Sequence, residues 1–338
     1  MAGCFVLVGL SYVILRVFVS VAAVPRTPVR ELSATWQLVL PLEEEVLDLQ
    51  IDGSGSYLAC ITAGGERNRL LVTDLDGGKP LWEAGITGRS MAWMAGGKRL
   101  VYEDAGDILL LDLEEMRTVN LTGDGEMDRE PRPSPRGDLI LWTRVEALTG
   151  EPQLWLMRGD GSDKRFLAPW QELVTWDPQG EELVSLGHEE TPGAEGEVTY
   201  FLQKTSPGEE GWTRYYSCEG PVYHVWWPSR DDLLMVGPWK SGDEVRGVVF
   251  KVRPGEKAAR LASTSGLSDD PRRYRFCEER GGTRLAYVGE KGLEILDYAG
   301  KVVYRYPFLD AGNPLAWDVK DGELYFTGRD GIYRFKAP

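Results

Sequence analysis

The sequence is poor in the residues that most often bind metal ions or transfer protons. It contains only two histidines, His188 and His224, and four cysteines in 338 residues. The cysteines lie far apart and include no C-x-x-C pair, so the spacing typical of zinc sites and disulfide frameworks is absent. We therefore expect no metal site, no cofactor and no disulfide framework.

Sequence motifs of common enzymes are absent as well. The chain has no G-x-S-x-G nucleophile elbow, no P-loop and no G-x-G-x-x-G after a strand. Its carboxylate runs, such as Asp231-Asp232 and Asp269-Asp270, lie in stretches that read as turns or loops, where charged groups are normally solvated. We predict no catalytic residues and a chain that is not an enzyme.

Basic residues are outnumbered by acidic ones. Lys and Arg total 38 against 53 Asp and Glu, which gives a net charge of −15. Such a surface repels phosphate backbones and anionic lipids. We therefore expect no nucleic-acid partner, and contact with a membrane only through the N-terminal segment.

One long apolar run is present, from Phe5 to Val24. About twenty such residues form a helix long enough to span a bilayer. Arg16 interrupts the run, no basic residue precedes it, and Arg26 and Arg30 follow. Residues 1–24 are therefore a signal peptide, an uncleaved anchor, or a leader whose true start lies upstream of Met1, and residues 25–30 form a linker. The two following arginines alone would favour a cytoplasmic domain; our prediction is an extracytoplasmic one, secreted or anchored to the cell membrane.

The rest of the chain repeats one pattern seven times. An apolar strand, a tight polar turn and a second apolar strand recur, and the 40 glycines and 20 prolines of the sequence are typical of many turns. The first apolar residue of each second strand occurs every 39 to 51 residues, at Leu58, Leu100, Ile140, Leu183, Leu234, Leu285 and Leu324. This is the period of four-stranded propeller blades. The sequence predicts an all-β, seven-bladed β-propeller over residues 31–338.

Bulky residues recur four positions before the turn glycine, at Ile51, Trp93, Pro133 and Trp176. Trp227 holds the same place before Asp231, and Trp317 is one residue out of step. We predict that these side chains fill the wedges between neighbouring blades, rather than stack on a ligand.

The third repeat carries a recognisable motif. Asp128 to Gly137 reads DREPRPSPRG, which resembles the D-x-x-P-x-W-S-P-D-G signature of TolB-like, or WD40-like, propeller repeats. Pro133 replaces the family's Trp and Arg136 its Asp. The resemblance implies the same propeller fold.

The two ends of the domain are predicted to complete one blade. The seventh repeat ends at GIYRFKAP with three strands, and an unassigned strand, Ala34 to Pro41, precedes the first repeat. Pairing this strand with the last blade would close the ring and cover both open sheet edges.

The longest repeats, the fourth and fifth, indicate a binding surface. Their extra length falls in two predicted loops, Gly187 to Glu197 and Gly237 to Gly247, on the face that also carries the blade-to-blade connections. Trp239 lies in the second loop, and aromatic residues are frequent at interface hot spots. We predict that Trp239, His224, Arg272 and Arg273 bind a partner on this face.

These observations favour a non-catalytic propeller, expected to be a monomer, that binds a protein or cell-envelope component. The alternative is a channel-mouth enzyme acting on polysaccharide, a lyase or glycosidase, which would need carboxylates and Arg, Tyr or His converging on one point of the channel. A sugar or small-ligand sensor would need several Trp around one mouth of the channel.

Overall fold

Short strands joined by tight turns account for almost all of the described chain. The computed structural model describes residues 36–336, apart from 76–77, 170, 191–197, 219, 230–231, 242–243, 254–255, 257, 264–275, 280–283, 290–291, 298–300, 307–311 and 319. The predicted N-terminal helix, leader and linker, and the arginines Arg272 and Arg273, lie outside these residues. No helix in the described ranges is both long and apolar enough to cross a bilayer.

Seven four-stranded antiparallel sheets form the blades of a propeller, as the repeat predicts. Blade one contains β2 (Val46–Ile51), β3 (Tyr57–Thr62), β4 (Asn68–Asp74) and β5 (Pro80–Ile86). Blade two contains β6 (Met91–Trp93), β7 (Arg99–Asp104), β8 (Asp107–Asp112) and β9 (Arg117–Asn120). Blade three contains β10 (Met127–Pro133), β11 (Leu139–Val145), β12 (Pro152–Arg158) and β13 (Arg165–Pro169).

The other blades follow the same order. Blade four contains β14 (Glu172–Trp176), β15 (Leu183–Glu190), β16 (Val198–Thr205) and β17 (Thr213–Cys218). Blade five contains β18 (His224–Ser229), β19 (Asp232–Ser241), β20 (Glu244–Val252) and β21 (Ala259–Ser263). Blade six contains β22 (Phe276–Glu278), β23 (Arg284–Gly289), β24 (Gly292–Asp297) and β25 (Val302–Tyr306). Blade seven contains β26 (Gly312–Trp317), β27 (Glu323–Gly328) and β28 (Gly331–Lys336), with β1 (Trp36–Pro41) as its fourth strand.

The N-terminal strand closes the ring, which confirms the prediction made from the unassigned segment. β1 runs antiparallel to β28, with Trp36 opposite Phe335 and Pro41 opposite Gly331. Leu40 is buried and packs with Ile332 in an apolar cluster that also holds residues of blade one. The first and last blades are therefore held together by both ends of the domain.

The core consists of seven apolar clusters, one at each junction between neighbouring blades. Because successive side chains of a β-strand point to opposite faces of its sheet, the side chains of each blade reach the blades on both sides. The first strand of each blade lies innermost, and these inner strands surround a central channel.

Two ends of the ring are distinguished by their loops. The first-to-second and third-to-fourth turns of each blade lie at one end, which we call the turn face. The second-to-third turns and the blade-to-blade connections lie at the other end, which we call the connection face. On the turn face each blade packs against the next: a Cβ atom on Gly55 would collide with Asp318, and one on Gly97 with Asp52.

Candidate functional site

The predicted wedge tryptophans lie between blades, as their spacing indicates. Trp176, Trp227 and Trp317 are all less than a tenth exposed. Trp176 Nε1 donates to the backbone oxygen of Arg132 in the preceding blade at 3.0 Å, and Trp317 Nε1 donates to the oxygen of Cys277 at 3.0 Å. The indole N–H groups of Trp176 and Trp317 are therefore committed to structure. Trp227 Nε1 has no hydrogen-bond partner among the described residues, and Trp176 and Trp227 also line the central channel.

Trp317 is one residue out of step with its turn glycine but takes the same strand position as the other tryptophans, because it pairs with Leu324 just as Trp93 pairs with Leu100. The two turns have the same length, and only the glycine, Gly322, lies one residue later. In blade five the strand irregularity after Trp226 lets Trp227 take the wedge position.

The inner strands enclose a cavity of about 750 Å³. Asp48, Ser90 and Pro131 line it in the inner strands, and Ala95, Pro135 and Pro178 of the first turns line it toward the turn face; no one residue type dominates the wall. A cavity of this size is in the range of small-molecule sites. The channel is therefore one candidate site, and its polar groups decide what it can do.

Most polar groups of the cavity already have structural partners. Gln50 Nε2 donates to the oxygen of Met91 at 2.7 Å. Asp177 Oδ1 accepts from the amides of Glu181 and Glu182 at 2.6 and 2.9 Å. Glu279 forms an ion pair with Arg284. Groups held in this way position turns and strands, and they are poorly placed to react with a substrate.

Arg132 is the basic residue of the cavity wall. Its guanidinium donates to Glu130 Oε2 at 2.8 Å, and burial in the channel wall lowers the pKa of Arg132. Glu130 has a φ of 55°, a backbone conformation that a non-glycine residue rarely adopts, and so does Leu173 at 51° in blade four. Both residues lie at irregularities of their inner strands. The sequence analysis did not identify the positive φ of Glu130 and Leu173, because neither residue type favours this conformation.

The motif of blade three proves to be structural. Asp128 is fully buried and accepts from Trp142 Nε1 at 2.8 Å and from Arg144 Nε at 2.7 Å. Arg144 also binds Asp124 and stacks its guanidinium over Trp155, 4.5 Å from the ring centre. The first residue of the TolB-like signature thus joins the inner strand of its blade to the next two strands.

Metal chemistry finds no support in the part of the chain that the structure describes. No group of three or more His, Cys, Asp or Glu residues is placed to hold an ion there. The described cysteines Cys60, Cys218 and Cys277 are free thiols. Burial raises the pKa of both Cys60 and Cys218 to about 12, so these two remain protonated at physiological pH.

The described parts of the two predicted loops lie in strands, which corrects the prediction for those residues; 191–197 and 242–243 lie outside the described residues. β15 pairs with β14 only as far as Leu186, but continues beside β16 from Gly187 to Glu190. β19 pairs with β18 as far as Val236 and continues beside β20 from Gly237 to Ser241. We call these paired extensions the projecting hairpins: 187–190 with 198–201 in blade four, and 237–241 with 244–248 in blade five.

The projecting hairpins rise from the connection face of two neighbouring blades. Four residue pairs extend β15–β16 and five extend β19–β20 beyond the inner strands, a reach of about 15 Å at 3.3 Å per residue. In blade one, by contrast, Val46 of the inner strand still faces Thr62, the last residue of β3. The overhang is therefore a specific feature of the two longest repeats.

The blade-four hairpin is braced and exposes apolar and aromatic side chains. Arg214 of β17 binds Glu189 at 2.7 Å and places its guanidinium 3.9 Å from the ring centre of Phe201. Val198 is 41% exposed, and the exposed His188 ring lies 6.3 Å from that of Tyr200. The described part of this hairpin thus presents apolar and aromatic surface beside a charged pair.

Of the four predicted partner-binding residues, Trp239 and His224 lie in strands that the structure describes, and Arg272 and Arg273 lie outside the described residues. Trp239 lies in the blade-five hairpin, opposite Arg246 of β20, and not in a loop. His224 begins β18, three residue pairs away from Trp239, where its ring stacks on Trp226 at 5.6 Å and meets Phe276 at 5.0 Å. His224 is thus part of the junction between blades five and six.

Comparison with known proteins supports the fold. The sequence matches no protein-family model and no curated protein. The structure is similar to the propeller domain of the Trilobed protease from Pyrococcus furiosus, with a TM-score of 0.64 and 10% identity over 88% of this chain and 95% of that one. Oligogalacturonate lyase from Vibrio parahaemolyticus gives a TM-score of 0.64 with 10% identity over 91% and 98% of the two chains.

TolB itself is among the structural matches. TolB from Acinetobacter baumannii gives a TM-score of 0.44 at 15% identity, covering 64% of this chain and 56% of that one. At these identities the comparisons support the propeller fold alone and assign no function to this chain.

Proposed function

We propose that this chain is a non-catalytic scaffold, exported or anchored by its N-terminal segment, that binds a protein or cell-envelope partner on the projecting hairpins. The observation that carries the proposal is the overhang of two neighbouring blades on the same face. Hairpins in the other described blades are shorter or end near the inner strand, so this pair offers a distinct raised surface.

The chemistry of the hairpins fits protein recognition. Val198 and Tyr200 supply apolar and aromatic contact area, and Glu189 and Arg214 supply a charged rim. Trp239, in the second hairpin, is of the residue type most enriched among interface hot spots. The braced backbone lowers the entropy that binding would otherwise cost.

A shortened hairpin tests the proposal. Residues 189–199 are replaced by Asn-Gly between the paired residues His188 and Tyr200, which keeps a two-residue hairpin turn. A second variant is Trp239→Ala, and Phe166→Ala, on the 50%-exposed side chain of outer strand β13, is the matched control. Each full chain is used to recover partners from envelope extract, with quantification by mass spectrometry.

We expect the same partner with the wild type and with Phe166→Ala, and about tenfold less or lower recovery with both hairpin variants. Equal recovery of that partner by all four chains would show that it docks elsewhere.

The channel supports a second candidate, an enzyme acting on polysaccharide. Its basis is the Arg132–Glu130 pair in the wall of a cavity of about 750 Å³. The similarity to oligogalacturonate lyase extends to the fold and makes an acidic oligosaccharide a reasonable first substrate to assay. Turnover of such a substrate by the wild type, lost in the Arg132→Gln variant, would establish this activity. No turnover by a folded wild type, across neutral and acidic polysaccharides, supports the scaffold.

A further inference from the structure

The described chain begins at one edge of the turn face. β1 starts with Trp36 opposite Phe335, beside the end of β28 at Lys336, and runs toward the connection face, which it reaches at Pro41. The segment before Trp36 therefore meets the propeller at the turn face, on the opposite end from the projecting hairpins.

Exposed apolar side chains lie at this entry point. Trp36 is 49% exposed at the start of the outer strand of blade seven. Leu81 is 38% exposed on the outer strand of blade one. The two strands belong to the same sector of the rim, since Gly78 of the β4–β5 turn faces the backbone oxygen of Val39.

Basic residues surround these apolar side chains although the protein carries a net charge of −15. Lys79, Lys320 and Lys336 are exposed at the turn-face end of blades one and seven, and Arg334 donates to Gln37 of β1. The opposite end of β1 is acidic, with Glu43, Glu44 and Asp330 around a cavity of about 640 Å³ that Leu38 also lines. We call Trp36 and Leu81, with Lys79 and Lys336, the entry edge.

The length of the preceding segment limits what can cover the entry edge. Eleven residues separate Val24, the end of the apolar run, from Trp36. Fully extended, they span at most about 40 Å. If residues 5–24 lie in a bilayer, the entry edge is therefore within reach of that bilayer. The connection face lies farther from the point where residues 25–35 join the propeller.

We propose that the entry edge lies in the headgroup region of the bilayer that holds the N-terminal segment, with Trp36 and Leu81 inserted at the interface. Tryptophan and lysine are the side chains that favour this region, since each has an apolar body and a polar end. The contact orients the propeller, so that the projecting hairpins face away from the membrane. This inference rests on the anchoring part of the proposed function and not on the docking surface.

The tryptophan content makes a direct test possible. Residues 1–35 contain no tryptophan, so Trp36 is the indole nearest to the tether. The full chain is reconstituted into phosphatidylcholine vesicles with brominated or ordinary acyl chains, and tryptophan emission is compared. Bromine quenches only indoles at or within the bilayer. We expect quenching of about one-twelfth of the emission, from one of the 12 tryptophans, and none in Trp36→Phe.

Substitutions at other positions of the entry edge distinguish an inserted edge from a tether effect. Leu81→Glu with Lys79→Glu should lower the quenching by at least half, because carboxylates oppose insertion, whereas Phe166→Glu on the far side of the ring should leave it unchanged. Vesicle flotation is measured in parallel. A chain that floats without quenching, or whose quenching persists in Trp36→Phe, contradicts the proposal. If the chain does not float with the vesicles, the proposal that the N-terminal segment is an anchor is contradicted. Neither the quenching result nor the flotation result bears on the recovery of a partner by the projecting hairpins.

Discussion

Arg144 Nε donates a hydrogen bond of 2.7 Å to Asp128 Oδ1, and this buried ion pair joins the inner strand of blade three to the second strand. The side chain of Asp128 has no exposed surface and that of Arg144 is 9% exposed. Because the same carboxylate also accepts from Trp142 Nε1, one residue of the inner strand holds two residues of the second strand.

Removal of this carboxylate should destabilise the domain strongly. Asp128→Ala leaves Arg144 and the Trp142 indole with unsatisfied buried donors, which costs about 3–5 kcal/mol in comparable buried pairs. Urea unfolding followed by tryptophan fluorescence measures the loss. The control is Arg136→Ala, because the Arg136–Glu181 pair is about half exposed on both sides and such pairs contribute about 1 kcal/mol or less. Equal losses in the two variants would show that the network is not important for stability.

The wedge tryptophans should each stabilise a junction between blades. Trp317→Phe removes the hydrogen bond to Cys277 and leaves a buried carbonyl without its donor, at a cost of about 1–3 kcal/mol. Trp93→Phe is the matched variant, and its cost should be smaller because Trp93 is less buried and its bond to Gln50 is long, at 3.4 Å. The order of the two urea midpoints checks the assignment, and a reversed order contradicts it.

Glu103 should make stability depend on pH. Burial, together with the nearby charge of Glu130, raises the pKa of Glu103 above its usual value of 4.5. Between the pKa of Glu103 in the unfolded chain and its higher pKa in the folded chain, the folded chain therefore binds more protons than the unfolded one. Stability falls as the pH rises through that window. Glu103→Gln should match the wild type near pH 4, where both side chains are neutral, and exceed its stability at neutral pH. A difference that does not change with pH would contradict this assignment.

The buried thiol of Cys60 should be chemically silent in the folded protein. Burial raises its pKa to about 12, and the thiolate is the reactive form. Iodoacetamide at pH 8, followed by peptide mass spectrometry, should leave Cys60 unmodified in buffer and modify it fully in urea. Rapid modification of Cys60 in buffer would show that blade one opens far more readily than its packing indicates.

The sequence predicted the propeller because a blade is specified locally. Apolar strands and polar turns recur with one period, and residues such as Leu58 and Leu324 occupy the same place in every unit. The closing strand was predictable for a related reason, since the seventh repeat lacks a strand and Trp36–Pro41 supplies one.

The candidate site was less predictable. Gly237 and Pro238 suggest a loop, yet both lie in β19, where Pro238 is tolerated because this part of the strand has no β18 partner. Nothing in the sequence indicates the positive φ of Glu130 either. Both features depend on how neighbouring strands end, which the residues themselves do not specify.

Site-specific crosslinking at the projecting hairpins tests the central claim most directly. The photoreactive residue benzoylphenylalanine is placed at position 198, 239 or 166 of the full chain, and irradiation is carried out in the envelope. The account predicts one shared partner crosslinked from positions 198 and 239 and not from 166. A partner captured equally from all three positions, or from 166 alone, would contradict it.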